Sequence, residues 1–156
     1  MKDYVAANIR NIAVLGHGSE GKTTLVEALL FLTGVTDRQG RVEDGTTVTD
    51  FDPEETKRHI SISAAMAPFE YKDVKINLID VPGYFDFIGE TSSALTAADG
   101  CVIVVGALSG APVGAEKAWV ACEKHGISKL IVVNQMDREN ANFEKELKAL
   151  SDRFGS

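Results

Sequence analysis

Gly16-His17-Gly18-Ser19-Glu20-Gly21-Lys22-Thr23 sets glycines, a lysine and a threonine in the pattern G-x-x-x-x-G-K-[ST]. That pattern is built to hold phosphate. Gly16, Gly18 and Gly21 let the backbone close around phosphate oxygens without a Cβ in the way. Successive N–H groups, including those of His17, Ser19 and Glu20, then point at the anion. Lys22 would reach the β- and γ-phosphates, and the Thr23 hydroxyl would ligate Mg²⁺, with Thr24 beside it in the first helical turn. The flanks suit this reading. Ile12-Ala13-Val14-Leu15 is an apolar run with β character, and Thr24 to Phe31 reads as a helix. Strand, glycine-rich turn and helix together make a P-loop.

A second acidic motif, Asp80-Val81-Pro82-Gly83, follows the apolar run Ile76-Asn77-Leu78-Ile79. At a strand end beside the P-loop strand, Asp80 is placed to hold Mg²⁺ through water, and the Gly83 N–H can reach the γ-phosphate. Asn134-Gln135-Met136-Asp137 closes another apolar run, Leu130-Ile131-Val132-Val133. Asp137 can accept two hydrogen bonds from guanine, N1–H and the exocyclic amine, and adenine offers neither in that geometry. Asn134 would tie this base loop back to the P-loop. The same residues would also serve as an N-cap turn leading into the last helix, and both roles are compatible. GTP or GDP with Mg²⁺ is therefore the expected ligand.

These motifs need a scaffold that brings strand ends together. Strands are predicted at 11–15, 60–69, 74–80, 101–106 and 129–134, and helices at 22–32, 87–98, 114–125 and 142–154. The alternation implies an α/β fold, a mostly parallel sheet with helices on both faces. In the last helix Phe143, Leu147 and Leu150 form one apolar stripe. Residues 34–59, rich in glycine and charge, are expected to be a switch segment that orders around a γ-phosphate and Mg²⁺.

The 156 residues fit one domain, and 44% apolar with 25% charged residues is ordinary for a globular protein. A net charge of −7 argues against nucleic-acid binding by a basic face of this chain. Cys101 and Cys122 cannot build a disulfide framework and are expected in the core. His17, His59 and His125 share no metal-ligand spacing with them. The longest apolar stretch, Cys101 to Leu108, is too short to span a bilayer, and Met1-Lys2-Asp3-Tyr4 has no targeting pattern, so the cytoplasm is the expected compartment.

The P-loop, D-x-P-G and N-x-M-D, in this order and spacing, resemble the translational GTPases, most closely the elongation factor G group. Residues 41–50 and 134–143 resemble that group in detail, and the likeness covers essentially the whole chain. It implies a Ras-like P-loop NTPase fold, switch regions at about 34–61 and 80–92, and a GTPase acting on the ribosome through the full-length protein. Its metal ligands would be Thr23, Ser61 and Asp80, and the catalytic position would be Tyr84 with Gly83 and Lys22.

The chain departs from the group's usual pattern at named positions. Gln135 stands where a lysine is usual, Ser61 of Arg58-His59-Ile60-Ser61 where a threonine is usual, and Tyr84 where a histidine is usual. No S-A-[LK] guanine loop precedes Ser156, so the final strand, that loop and later domains are expected to be missing and the domain partial. Tyr84 and residues 45–63 look like the second, elongation factor G-like group. Tyr84 also motivates an alternative, a guanine-nucleotide switch with little hydrolysis of its own. Asp137 argues against a kinase or ATPase.

Overall fold

The computed structural model describes residues 2–155, with Phe85 described by its backbone. Met1 and Ser156 lie outside the described residues. In chain order the strands are β1 (Ile9–Gly16), β2 (Ala65–Tyr71), β3 (Val74–Asp80), β4 (Gly100–Gly106) and β5 (Ser128–Asn134). The helices are α1 (Lys22–Leu32), α2 (Pro53–Arg58), α3 (Ile88–Ala97), α4 (Val113–His125) and α5 (Phe143–Phe154).

The strands form one sheet in the order β2-β3-β1-β4-β5. β1 lies between β3 and β4, parallel to both, and β5 runs parallel to β4. β2 alone is antiparallel, joined to β3 by a tight turn at Lys72 and Asp73, both at positive φ. An α/β sheet of this kind places its loops, and hence its site, beyond the C-terminal ends of the parallel strands. The P-loop, Asp80 and Asn134 all leave from that end.

Each face of the sheet is covered. On one, Val26 and Leu30 of α1 pack against Val14, Ala67, Phe69, Leu78 and Val104. On the other, Leu95 of α3, Ala115, Ala118 and Cys122 of α4, and Leu150 of α5 pack against Ala13, Leu15, Cys101, Ile103 and Val105. Both cysteines are buried free thiols. β4 is covered on both sides, which explains its unbroken apolar sequence. β2, at an edge, alternates instead, with Ala65, Ala67 and Phe69 buried and Met66 exposed.

The second strand corrects the sequence expectation of 60–69. β3 ends at Asp80, opposite Ala65, so residues before Ala65 have no partner strand. Their amides go elsewhere: Ile62 and Ser63 donate to the Glu55 carboxylate at 2.8 and 3.0 Å, and Ala64 to Glu90 at 2.8 Å. Residues 34–59 also contain a helix that the sequence reading did not expect. Asp52 caps α2 by accepting from the Glu54 N–H at 2.7 Å, and Glu55 closes a capping box from N3. The apolar stripe on α5 is only partly buried: Leu150 faces the core while Phe143 and Leu147 are exposed. The N-cap of α5 is Asn142, beyond the 134–137 turn, accepting from the Lys145 N–H at 3.0 Å.

Candidate functional site

A cleft of about 390 Å³ opens at the C-terminal end of the sheet. Its floor is the P-loop, with Gly18, Ser19, Gly21, Lys22, Thr23 and Thr24 in the wall. Gly21 has φ +85° and caps α1 without a side chain, so the first-turn amides of α1 have no capping oxygen over them. A Cβ on Gly21 would collide with the Asn134 carboxamide, so this position needs glycine for conformation and for space.

Lys22 is buried and donates from Nζ to the His17 carbonyl at 2.8 Å, inside its own loop. Burial lowers its pKa, opposed by the nearby carboxylates of Asp80, Glu20 and Asp50. Gly83 presses on the same group, because a Cβ there would run into Lys22 Nζ and lie 2.7 Å from the Gly18 nitrogen. The Tyr84 ring lies across Gly18, its Cζ 2.9 Å from where a Cβ would be. Tyr84 also borders an apolar groove between α3 and α4, lined by Ile88, Thr91, Ala118 and Ala121.

Beside Lys22 a set of hard oxygens converges. Thr23 Oγ1 donates to Asp80 Oδ2 at 2.8 Å and lies 3.3 Å from Ser61 Oγ. Thr49 Oγ1 donates to the same Asp80 oxygen at 3.0 Å, and Ser61 Oγ donates to Asp50 Oδ1 at 2.7 Å. Asp80 Oδ1 is buried without a hydrogen-bond partner. Burial pushes the Asp80 pKa up to about 6, and burial also raises that of Asp50. A buried anionic oxygen without a donor is costly, and a divalent cation relieves that cost. One or two carboxylates, hydroxyls and room for phosphate oxygens suit Mg²⁺, which prefers oxygen ligands and keeps water or phosphate in its shell. Among the described residues no group of three or more His, Cys, Asp or Glu forms a metal cluster.

At the far end of the cleft, Asn134 Nδ2 donates to the Glu20 carbonyl at 2.9 Å and Gln135 Nε2 to the Ser19 carbonyl at 3.0 Å. The loop after β5 is thus tied to the P-loop. Gln135 and Arg138 line the cleft, while Asp137 is exposed in the same turn. The Glu20 side chain turns to the loop after β4, accepting from the Gly106 N–H and, at 3.0 Å, from Ser109 Oγ.

The structure therefore gathers Thr23, Ser61 and Asp80 at one point, and Gly18, Ser19, Gly21 to Thr24, Gly83, Tyr84 and Gln135 around one cleft, with Asn134 tied to the P-loop behind it and Gly16, His17 and Glu20 outside the cleft lining. Sequence reasoning missed Thr49, Asp50, His59 and Arg138, of which Asp50, His59 and Arg138 line that cleft. Nothing in a charge-dense stretch marks which acid turns inward. It also missed Glu27, fully buried on α1, which accepts from the Val48 N–H at 2.6 Å and anchors the segment carrying Thr49 and Asp50.

Residues 7–156 match the elongation factor Tu GTP binding domain family. The chain belongs to that family. It is 40% identical over 154 residues to elongation factor G 2 of Streptomyces coelicolor, covering 99% of this chain and 22% of that protein. It is also 40% identical over 148 residues to the mitochondrial ribosome-releasing factor 2 of Culex quinquefasciatus, covering 95% of this chain and 20% of that protein. A crystal structure from Thermus thermophilus superposes with a TM-score of 0.91 at 41% identity, covering 96% of this chain and 23% of that one. The chain thus spans about a fifth of the length of these relatives. Within this elongation factor GTP-binding domain, no described helix is long and apolar enough to cross a membrane.

Proposed function

We propose that this chain binds GTP and GDP with Mg²⁺ in the cleft and hydrolyses GTP to GDP and phosphate. The oxygen cluster around Asp80 carries the reading, because an unpartnered buried carboxylate oxygen beside a P-loop threonine fits a nucleotide-bound cation. Thr23, Ser61 and Asp80 would hold Mg²⁺, with Asp50 and Thr49 behind them. The ion would neutralise charge on the β- and γ-phosphates. Gly16 to Thr24 would cradle the phosphates, Lys22 would leave the His17 carbonyl for a phosphate oxygen, and Gly83 would offer its N–H to the γ-phosphate. Asn134, Gln135 and Asp137 would read guanine. Tyr84 would orient the attacking water by hydrogen bonding. The moving parts are residues 34–61 and 80–92.

The elongation factor relatives extend this to a partner: a full-length protein acting on the ribosome in the cytoplasm during elongation. An equal 40% identity with ribosome-releasing factor 2 favours a second reading, another ribosome-associated role for the same GTPase. Titrating GDP with and without Mg²⁺, with ATP as competitor, tests the ligand. Tight, Mg²⁺-strengthened binding that ATP does not displace is expected. Displacement by ATP at equal concentration refutes the guanine reading.

A further inference from the structure

One carboxylate in the P-loop has no part in the phosphate chemistry. Glu20, the last variable position before Gly21, is only 6% exposed. Its Oε2 accepts from the Gly106 N–H and the Ser109 hydroxyl, and its own carbonyl accepts from Asn134 Nδ2. One residue therefore ties the P-loop to the loop after β4 by its side chain, and to the base loop by its main chain.

Residues 106–110 are gripped from further directions. The Ala107 N–H donates to the Asn134 carbonyl at 2.8 Å. Glu146 of α5 lies buried against Gly110: burial raises its pKa, opposed by the Gly110 backbone amide. Gly106 itself is walled in: a Cβ there would meet Glu20 Oε2, with Ser109 Oγ at 2.9 Å and Gln135 Oε1 at 3.0 Å. This loop is a keystone between the two halves of the cleft, and Glu20 is the charged group that fastens it to the P-loop. Hydrogen bonds to a buried carboxylate are about twice as strong as neutral ones, so the charge matters.

We propose that Glu20 is a positioning residue for nucleotide release: its carboxylate, acting through residues 106–110, holds the phosphate-binding and base-binding loops at the spacing a bound nucleotide needs. Slackening that tie opens the cleft and speeds the loss of GDP. The inference rests on the guanine-nucleotide reading above.

The test is the release rate of a fluorescent GDP analogue from the chain carrying Glu20→Gln, Ser109→Ala, or both. Each single substitution is expected to raise the release rate about fivefold or more. The association rate changes less than the release rate, because the tie acts on the closed, occupied cleft. The double variant releases more slowly than the product of the two single effects would give, because both substitutions weaken the Glu20–Ser109 bond. A purely structural role lowers the melting temperature without this pattern. Release rates of the singles within about twofold of the parent, or effects that multiply in the double, overturn the proposal. Should Glu20→Gln fail to fold, Ser109→Ala decides alone, since it removes one donor from the same oxygen on an exposed loop. A parent chain that binds no GDP overturns the nucleotide reading itself, which keeps the two failures distinct.

Discussion

Thr23 and Asp80, 57 residues apart, meet through a 2.8 Å hydrogen bond from hydroxyl to carboxylate, and the second oxygen of that carboxylate is left buried and unpartnered. The pair joins the first turn of α1 to the end of β3. It also stores a cost that a cation or a proton on Asp80 removes.

That cost has a pH signature in the metal-free chain. Burial holds the Asp80 pKa near 6, above its ordinary 3.8, so the folded pocket prefers the protonated group. The stability from this group is full below about pH 4 and is lost as the pH rises through about 6. Without Mg²⁺ or nucleotide, Asp80→Asn should therefore be more stable than the parent at pH 8, by about 1–3 kcal/mol. The gap should close by about pH 4. Urea unfolding at the two pH values measures it, and a parent more stable at pH 8 would contradict the burial argument.

Lys22 already spends its ammonium on the His17 carbonyl. Lys22→Ala should leave the fold intact and remove a charge-assisted phosphate contact worth about 1.5–3 kcal/mol. GDP affinity should fall about tenfold or more by calorimetry. An unchanged dissociation constant would rule out the P-loop role.

Asp137 is exposed and waits at the end of the loop that Asn134 and Gln135 pin to the P-loop. Asp137→Asn replaces an acceptor-only group with one that also donates, which suits xanthine. Preference should move from GDP toward xanthosine diphosphate in a competition assay. Normal GDP binding by the variant would place guanine recognition elsewhere.

Tyr84 stands between the cleft and the apolar groove of α3 and α4. Its phenol can orient water but offers less than an imidazole as a charge-responsive group. Tyr84→His should keep GTP affinity and change the single-turnover hydrolysis rate. Equal rates for Tyr84, its His variant and its Phe variant would remove this position from catalysis.

How much of this was legible beforehand divides along a physical line. Local chemistry was readable: the P-loop's glycines, the Asp80 strand end and α1 at 22–32 all follow from short-range pattern and backbone preference. The register of neighbouring strands was not. Whether residues 60–64 pair depends on where β3 ends, which no local signal states. Buried acids were also illegible. Glu20, Glu27, Asp50 and Glu55 look like solvated charges in sequence, and only long-range partners such as the Gly106 and Val48 amides explain them. The stripe on α5 erred the other way. Apolar spacing put Phe143, Leu147 and Leu150 on one stripe, and of these three only Leu150 is buried.

The central position of β1 has a consequence for the order in which the molecule can be made. β1 has no flanking strands until β3 and β4 have emerged, and the Glu20 carbonyl finds Asn134 only across 114 residues. During synthesis at about 5–20 residues per second, the phosphate-binding sequence waits on the order of ten seconds for the partner that braces it. Parallel pairing of this range is slow because the intervening chain must be closed before any contact rewards it. A nascent chain halted before Asn134 would carry the whole of Gly16 to Thr23 with its base-side brace still unmade.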